Sequence, residues 1–99
     1  MRLMTMKWLN EKICEEIEGA ECYIKKALKY KDNEKPRHAE IFNSMTKQEL
    51  EHAEHLMEMA KELYENNESE MSKDLWEYLM NKSKEEYEEV KYYMAVYKM

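Results

Sequence analysis

The spacing of the apolar residues is the feature that most constrains the fold of this chain. They recur at every third or fourth position along most of the 99 residues, and the sequence contains a single Gly and a single Pro. This spacing forms one stripe along an α-helix, whereas a half-buried strand requires alternation at every second position. The pattern therefore predicts an all-α protein with helices over residues 5–31, 36–66 and 72–97.

Two short polar segments separate the predicted helices. Residues 31–36 combine turn-forming side chains with Pro36, which suits the first turn of a helix and would disrupt a helix interior. Residues 66–72 offer Ser69 or Ser72 as the N-cap of the third helix. Because a short connection folds two long helices back on each other, we predict one domain over residues 1–99, an antiparallel two-helix hairpin followed by a C-terminal helix.

Composition excludes several kinds of partner. The net charge is −6, and no stretch is dense in Lys and Arg, so neither nucleic acid nor an anionic membrane surface is expected as a partner. No apolar run is long enough to span a bilayer, and the N-terminus does not resemble a signal peptide.

Cys14 and Cys22 are about 12 Å apart along one helix, too far for a disulfide. Free thiols suit a reducing compartment, so we expect a cytoplasmic protein.

The acidic segment QELEHAEH (residues 48–55) divides into two faces of the second helix. Glu49 lies at the centre of an apolar stripe, and His52 lies at the edge of the same stripe. The apolar residues of that stripe are Phe42, Met45, Ala53, Leu56, Ala60 and Leu63. Glu51, Glu54 and His55 turn away from it, as a solvated charged face does.

The first helix repeats this arrangement around Glu16, which lies among Leu9, Ile13, Ala20, Tyr23 and Ala27. Two acids and an imidazole directed toward a core are costly unless a cation pairs with them. Lys12 is one candidate cation for Glu16, but the stripe around Glu49 contains no Lys or Arg. A metal ion is therefore the simplest partner.

The spacing of Glu49 and His52 supports a metal site. A Glu-x-x-His pair places both side chains on one helical face, where they can bind the same ion. Di-metal carboxylate bundles use one Glu from each of two helices and Glu-x-x-His from each of two others. The chain contains half of this set, Glu16 with Glu49 and His52, so two copies related by a two-fold axis would complete a site for iron or manganese.

The segments EEIEGAECYIKKA (15–27) and QELEHAEHL (48–56) resemble the ferritin-like and rubrerythrin superfamily. They are most similar to the short encapsulated ferritins, which form their di-iron site between two subunits. The resemblance implies that the chain dimerises into a ferritin-like four-helix bundle. It also implies a homo-oligomer of at least two subunits, with a larger ring as an open alternative.

The resemblance also implies a role for each matched residue. Glu16 would be a terminal carboxylate ligand, Glu49 a bridging ligand and His52 the nitrogen ligand. Tyr23 would place a phenol near the metals, and Gly19 with Ala20 would leave room for close approach of the helices. Two irons per dimer site would be the cofactor, with manganese as the alternative. The expected function is ferroxidase activity, the oxidation of Fe(II) to Fe(III), in iron binding or storage.

Other interpretations fit the same residues. The C-terminal YYMAVYKM does not resemble an encapsulin-docking tail, which counts against an encapsulin shell as a partner, and the Cys pairs of full rubrerythrins are missing. A non-enzymatic helical oligomerisation or adaptor module, or a metal-sensing protein, could use the same scaffold. Without metal, Glu49 and His52 would form a hydrogen-bonded pair and Lys12 would pair with Glu16.

The third helix carries its own apolar seam at alternating spacings of four and three residues. Its members are Trp76, Met80, Ser83, Tyr87, Val90, Met94 and Tyr97. This spacing is typical of a helix-packing face. We predict that the seam contacts either the hairpin of its own chain or a second subunit.

Overall fold

A computed structural model describes residues 3–67, 69 and 71–99 of the chain, with side chains from residue 5 onward. It contains three α-helices, α1 (Leu3–Asp32), α2 (Pro36–Glu65) and α3 (Lys73–Lys98), and the described residues form no strand. The predicted all-α fold is confirmed. Each helix begins and ends within two residues of its predicted position.

The connection between α1 and α2 is as short as the sequence indicates. The backbone N–H of Lys35 donates to the carbonyl of Tyr30 over 2.9 Å, and Glu34 adopts a left-handed φ of 58°. This turn reverses the chain, and Pro36 occupies the first turn of α2. The ring of Tyr30, near the end of α1, stacks on that of Phe42, near the start of α2, at 5.5 Å between centroids. Because the two helices also pack against each other beyond this tight turn, they run antiparallel.

The core lies along the contact between α1 and α2. One stripe of α1 is almost completely buried, and small residues of α2 lie against it. The α1 stripe consists of Met6, Leu9, Ile13, Ile17, Ala20, Ile24 and Ala27. The alanines of α2 are Ala39, Ala53 and Ala60, each 0% exposed. Small side chains allow the two helix backbones to approach closely, so the hairpin has a narrow, well-packed interior.

Helix α3 packs on the hairpin of its own chain. The sequence had left open whether its apolar seam contacts this hairpin or a second subunit. Ser72 is its N-cap and accepts a hydrogen bond from the backbone N–H of Leu75 over 3.2 Å. The indole of Trp76 stacks on Tyr64 of α2 at 4.6 Å between ring centroids. Further along, Val90 is 1% exposed in the core that α3 shares mainly with α1.

Two tyrosines of α3 tie it to α2 by hydrogen bonds. The hydroxyl of Tyr97 donates to Glu40 over 3.1 Å, and the hydroxyl of Tyr87 donates to Glu54. Helix α3 thus covers one side of the hairpin and leaves the opposite face uncovered within the described part of the chain. None of the described helices is both long and apolar enough to cross a membrane.

The burial of the α1 stripe predicts a large stability difference between two identical substitutions. Ile17 is 1% exposed, whereas Ile41 of α2 is 51% exposed. We expect Ile17→Ala to lower the free energy of unfolding by about 2–4 kcal/mol, because it removes buried methylenes and leaves a cavity. Ile41→Ala should cost less than about 1 kcal/mol. Urea unfolding of both variants measures the difference, and equal losses would contradict the assigned core.

Candidate metal centre

The three metal ligands proposed from the sequence come together on the uncovered face of the hairpin. Glu16 lies near the middle of α1, and Glu49 and His52 lie one turn apart on α2. Each offers one ligand atom, and these three atoms lie within 4.8 Å of one another. Nδ1 of His52 lies 3.4 Å from Oε2 of Glu16. The Glu-x-x-His spacing and the antiparallel register of the hairpin together produce this group.

The three side chains differ in exposure. The Glu16 side chain is 23% exposed, and its Oε2 atom is buried without a hydrogen-bond donor among the described residues. Glu49 is half-buried. The His52 side chain is 58% exposed, so the expectation that the imidazole points toward the core is wrong. Position 52 lies at the edge of the α2 stripe, and within this chain that edge is surface.

The proximity of the two carboxyl groups changes the acidity of Glu49. The pKa of Glu49 is raised from 4.5 to about 7. The largest cause is the hydrogen bond that protonated Glu49 makes with the Glu16 carboxylate, followed by burial and by repulsion from the Glu16 charge. The positive charge of His52 lowers the pKa and offsets part of this. Glu49 and Glu16 therefore hold a proton between them near neutral pH unless a cation replaces it.

The donor set fits iron. Carboxylate oxygens and an imidazole nitrogen are ligands of non-haem iron and manganese. The buried Oε2 of Glu16 has no hydrogen-bond donor in the described part of the chain, and a cation bound there would satisfy it. The Cβ of any residue other than Gly at position 19 would lie 3.0 Å from Oε2 of Glu49, so Gly19 provides space for that carboxylate. The resemblance had implied that this glycine makes room for the helices.

Lys12 and Tyr23 lie outside this group. The ammonium of Lys12 pairs with Glu15 at 3.1 Å, so the Lys12 to Glu16 ion pair weighed from the sequence is not formed. The ring of Tyr23 packs against Phe42, with 6.0 Å between centroids. Tyr23 follows Glu16 by two helical turns, or about 10 Å along α1. The structure therefore shows Tyr23 in an aromatic contact, and its role near the metals stays a prediction.

His55 lies closer to the site than the sequence indicated. It is exposed, as expected, but it lines the same open depression as Trp8, Glu16 and His52. Residues three apart on a helix are neighbours on its surface, and the spacing of His52 and His55 could have indicated that His55 lies beside the site. Glu51 is exposed as expected, whereas the exposed Glu54 accepts the hydrogen bond from Tyr87 of α3 and so has a structural contact.

Comparison with protein families agrees with the geometry. The family model described as Rubrerythrin matches residues 7–98, nearly the whole chain. The chain belongs to the rubrerythrin family. This match does not distinguish the encapsulated ferritins from other members. Neither the curated proteins nor the solved structures give a significant match.

Membership in the rubrerythrin family carries a chemical expectation. Domains of this family bind iron and are often iron-dependent oxidoreductases, and the family points to a di-iron carboxylate protein. The group of Glu16, Glu49 and His52 is the carboxylate and imidazole cluster among the described residues that suits this chemistry.

The raised pKa of Glu49 predicts a pH-dependent stability for the metal-free protein. Between pH 4.5 and about 7 the folded protein holds a proton that the unfolded chain releases. The free energy of unfolding should therefore fall as the pH rises through this window. The expected decrease is about 2 kcal/mol, because solvent screens part of the repulsion between the two carboxylates. Thermal or urea unfolding across the pH range measures this change.

Glu49→Gln is the matched variant, because its amide keeps the shape without the charge. It should be more stable than the unaltered protein at pH 8, and its profile should be flatter between pH 5 and 7. Burial also raises the pKa of Glu86, so a smaller slope of the same sign should remain. Parallel profiles for the two proteins would show that Glu49 is not the group responsible.

Proposed function

We propose that this protein is a ferroxidase whose di-iron site is completed by a second copy of the chain. The observation that carries the proposal is the convergence of two carboxylates and one imidazole within 4.8 Å on the uncovered face of the hairpin. Two copies facing each other would supply four carboxylates and two imidazoles. This is the ligand set of a ferritin-like di-iron site.

The surface around the site supports a second copy as the partner. Trp8 of α1 is 52% exposed and lines the same open depression as Glu16 and His52, and the half-buried Leu56 lies there too. Apolar groups around a half-complete polar site are typical of a surface that another subunit covers. The exposure of His52 agrees with this arrangement, because an imidazole at the surface of one copy is accessible to a second copy. We propose a homodimer with two irons, or a larger ring built from such dimers.

The residues of the chain would act by holding charge. Glu16 and Glu49 would bind Fe(II) through oxygen, and the proton of Glu49 would leave as the cation arrives, because both interact with the same carboxylate. Anionic ligands stabilise Fe(III) more than Fe(II), so the site favours loss of one electron from each ferrous ion to an oxidant such as O₂ or peroxide. The oxidised iron is the product, to be bound or stored. Manganese is the alternative metal.

A non-enzymatic helical module is the second candidate. The proton that Glu49 shares with the Glu16 carboxylate reduces the repulsion between the two groups without metal, and the raised pKa of Glu49 favours this candidate. Metal loading separates the two functions.

The free thiols of Cys14 and Cys22 agree with the reducing cytoplasm that we propose as the location.

Anaerobic loading with Fe(II) followed by exposure to air tests the ferroxidase proposal. We expect about one bound iron per chain in a dimer, because each copy supplies half of the ligand set. Oxidation to Fe(III) should be faster than in buffer alone, as followed by absorbance. A protein that retains no iron would exclude the ferroxidase and favour the helical module.

Two substitutions on α2 test the ligand assignment. Glu49→Ala should remove most of the bound iron, because a ligand and its negative charge are lost. Glu51→Ala is the matched control, since Glu51 is exposed two residues away on the other face. It should keep the iron content of the unaltered protein. Gel filtration of both variants, with and without metal, reports whether the dimer depends on the site. Equal iron in the two variants would remove Glu49 from the site.

A further inference from the structure

Gly19 is the only glycine of the chain, and the backbone does not require a glycine there. It lies near the middle of α1, and it does not have a positive φ. A helix-interior glycine is less favourable than alanine because more backbone freedom is lost on folding. A contact with a nearby side chain would explain why position 19 is a glycine.

The surroundings of Gly19 identify that side chain. A Cβ at this position would lie 3.0 Å from Oε2, 3.6 Å from Cδ and 3.8 Å from Cγ of Glu49. These are its three nearest atoms once the glycine's chain neighbours and the backbone of its own helix are set aside, and all belong to one side chain. The space therefore accommodates the Glu49 carboxylate, and the backbone of α2 is farther away.

We propose that Gly19 is a positioning residue that lets the Glu49 carboxylate reach its place beside Glu16 and His52. A methyl group at position 19 would displace Oε2 by a few tenths of an ångström. The end of a Glu side chain can move that far, so the fold would be kept. Metal–ligand distances in a well-formed site lie within about 0.2 Å of their preferred values. The methyl group would therefore weaken metal binding and leave the fold intact. This part of the inference rests on the proposed function.

Gly19→Ala tests the inference with two measurements that move in opposite directions. Anaerobic titration with Fe(II) should show affinity about 10–100-fold lower than in the unaltered protein, the size of effect seen when the groups that orient a ligand are altered. The melting temperature of the metal-free protein should rise by roughly 2–6 °C, because alanine favours the helix. Cys22→Ala, at an exposed position of the same helix, should leave the iron affinity unchanged.

A double-mutant cycle with Glu49→Ala shows whether the effect passes through Glu49. In the metal-free protein, Gly19→Ala should raise the melting temperature more in the Glu49→Ala background than alone, because there the methyl group meets no carboxylate. A helix-propensity effect alone would give the same rise in both backgrounds. This readout requires no bound metal, so it tests the contact even if the ferroxidase proposal fails.

The outcomes separate the two proposals. If the unaltered protein binds iron and Gly19→Ala binds it equally well, the positioning role is wrong and the ferroxidase proposal stands. If the unaltered protein binds no iron, the ferroxidase proposal fails, and the cycle alone decides whether Gly19 accommodates Glu49. Additive melting temperatures in the cycle would overturn the contact itself.

Discussion

The proximity of the carboxyl groups of Glu16 and Glu49 is the constraint around which this molecule is arranged. Two ionised carboxylates on one half-buried face repel each other, and only a proton or a cation between them removes the repulsion. In the metal-free protein the proton is held on Glu49, whose pKa is about 7. The remaining features of the site follow from this pair. His52 places an imidazole nitrogen 3.4 Å from Glu16, and Gly19 provides the space that Glu49 occupies.

The rest of the fold serves to present this pair on one face. Alanines of α2 bring the two long helices close, so that side chains of α1 and α2 can share one ion. Helix α3 lies on the other side of the hairpin, anchored by the stacked rings of Tyr64 and Trp76 and by tyrosine hydroxyls. The described part of the chain therefore has α3 packed on one side of the hairpin and the group of Glu16, Glu49 and His52 on the other. A second copy is the natural partner for that site in the function that we propose.

The stability of the hairpin and the function of the site make opposing demands on α1. Alanine at position 19 would favour the helix, but its methyl group would meet Oε2 of Glu49 at 3.0 Å. A raised pKa likewise makes the metal-free fold less stable as the pH increases, and in the function that we propose a cation would replace the proton of Glu49. Local destabilisation of this kind is common where residues are arranged for binding.

Periodicity along the sequence was sufficient to predict three helices and to single out Glu16, Glu49 and His52 as candidates, because both depend on which residues share a helical face. The polar connecting segments predicted the helix bounds to within two residues and offered Ser69 or Ser72 as the third N-cap, of which the structure has Ser72. Periodicity does not show how deeply a side chain is buried. Only the tertiary structure showed that the imidazole of His52 lies at the surface and that Lys12 pairs with Glu15. It also decided that α3 packs on its own hairpin and that Gly19 faces a carboxylate. These are contacts between side chains far apart in the chain, and they depend on how the helices pack.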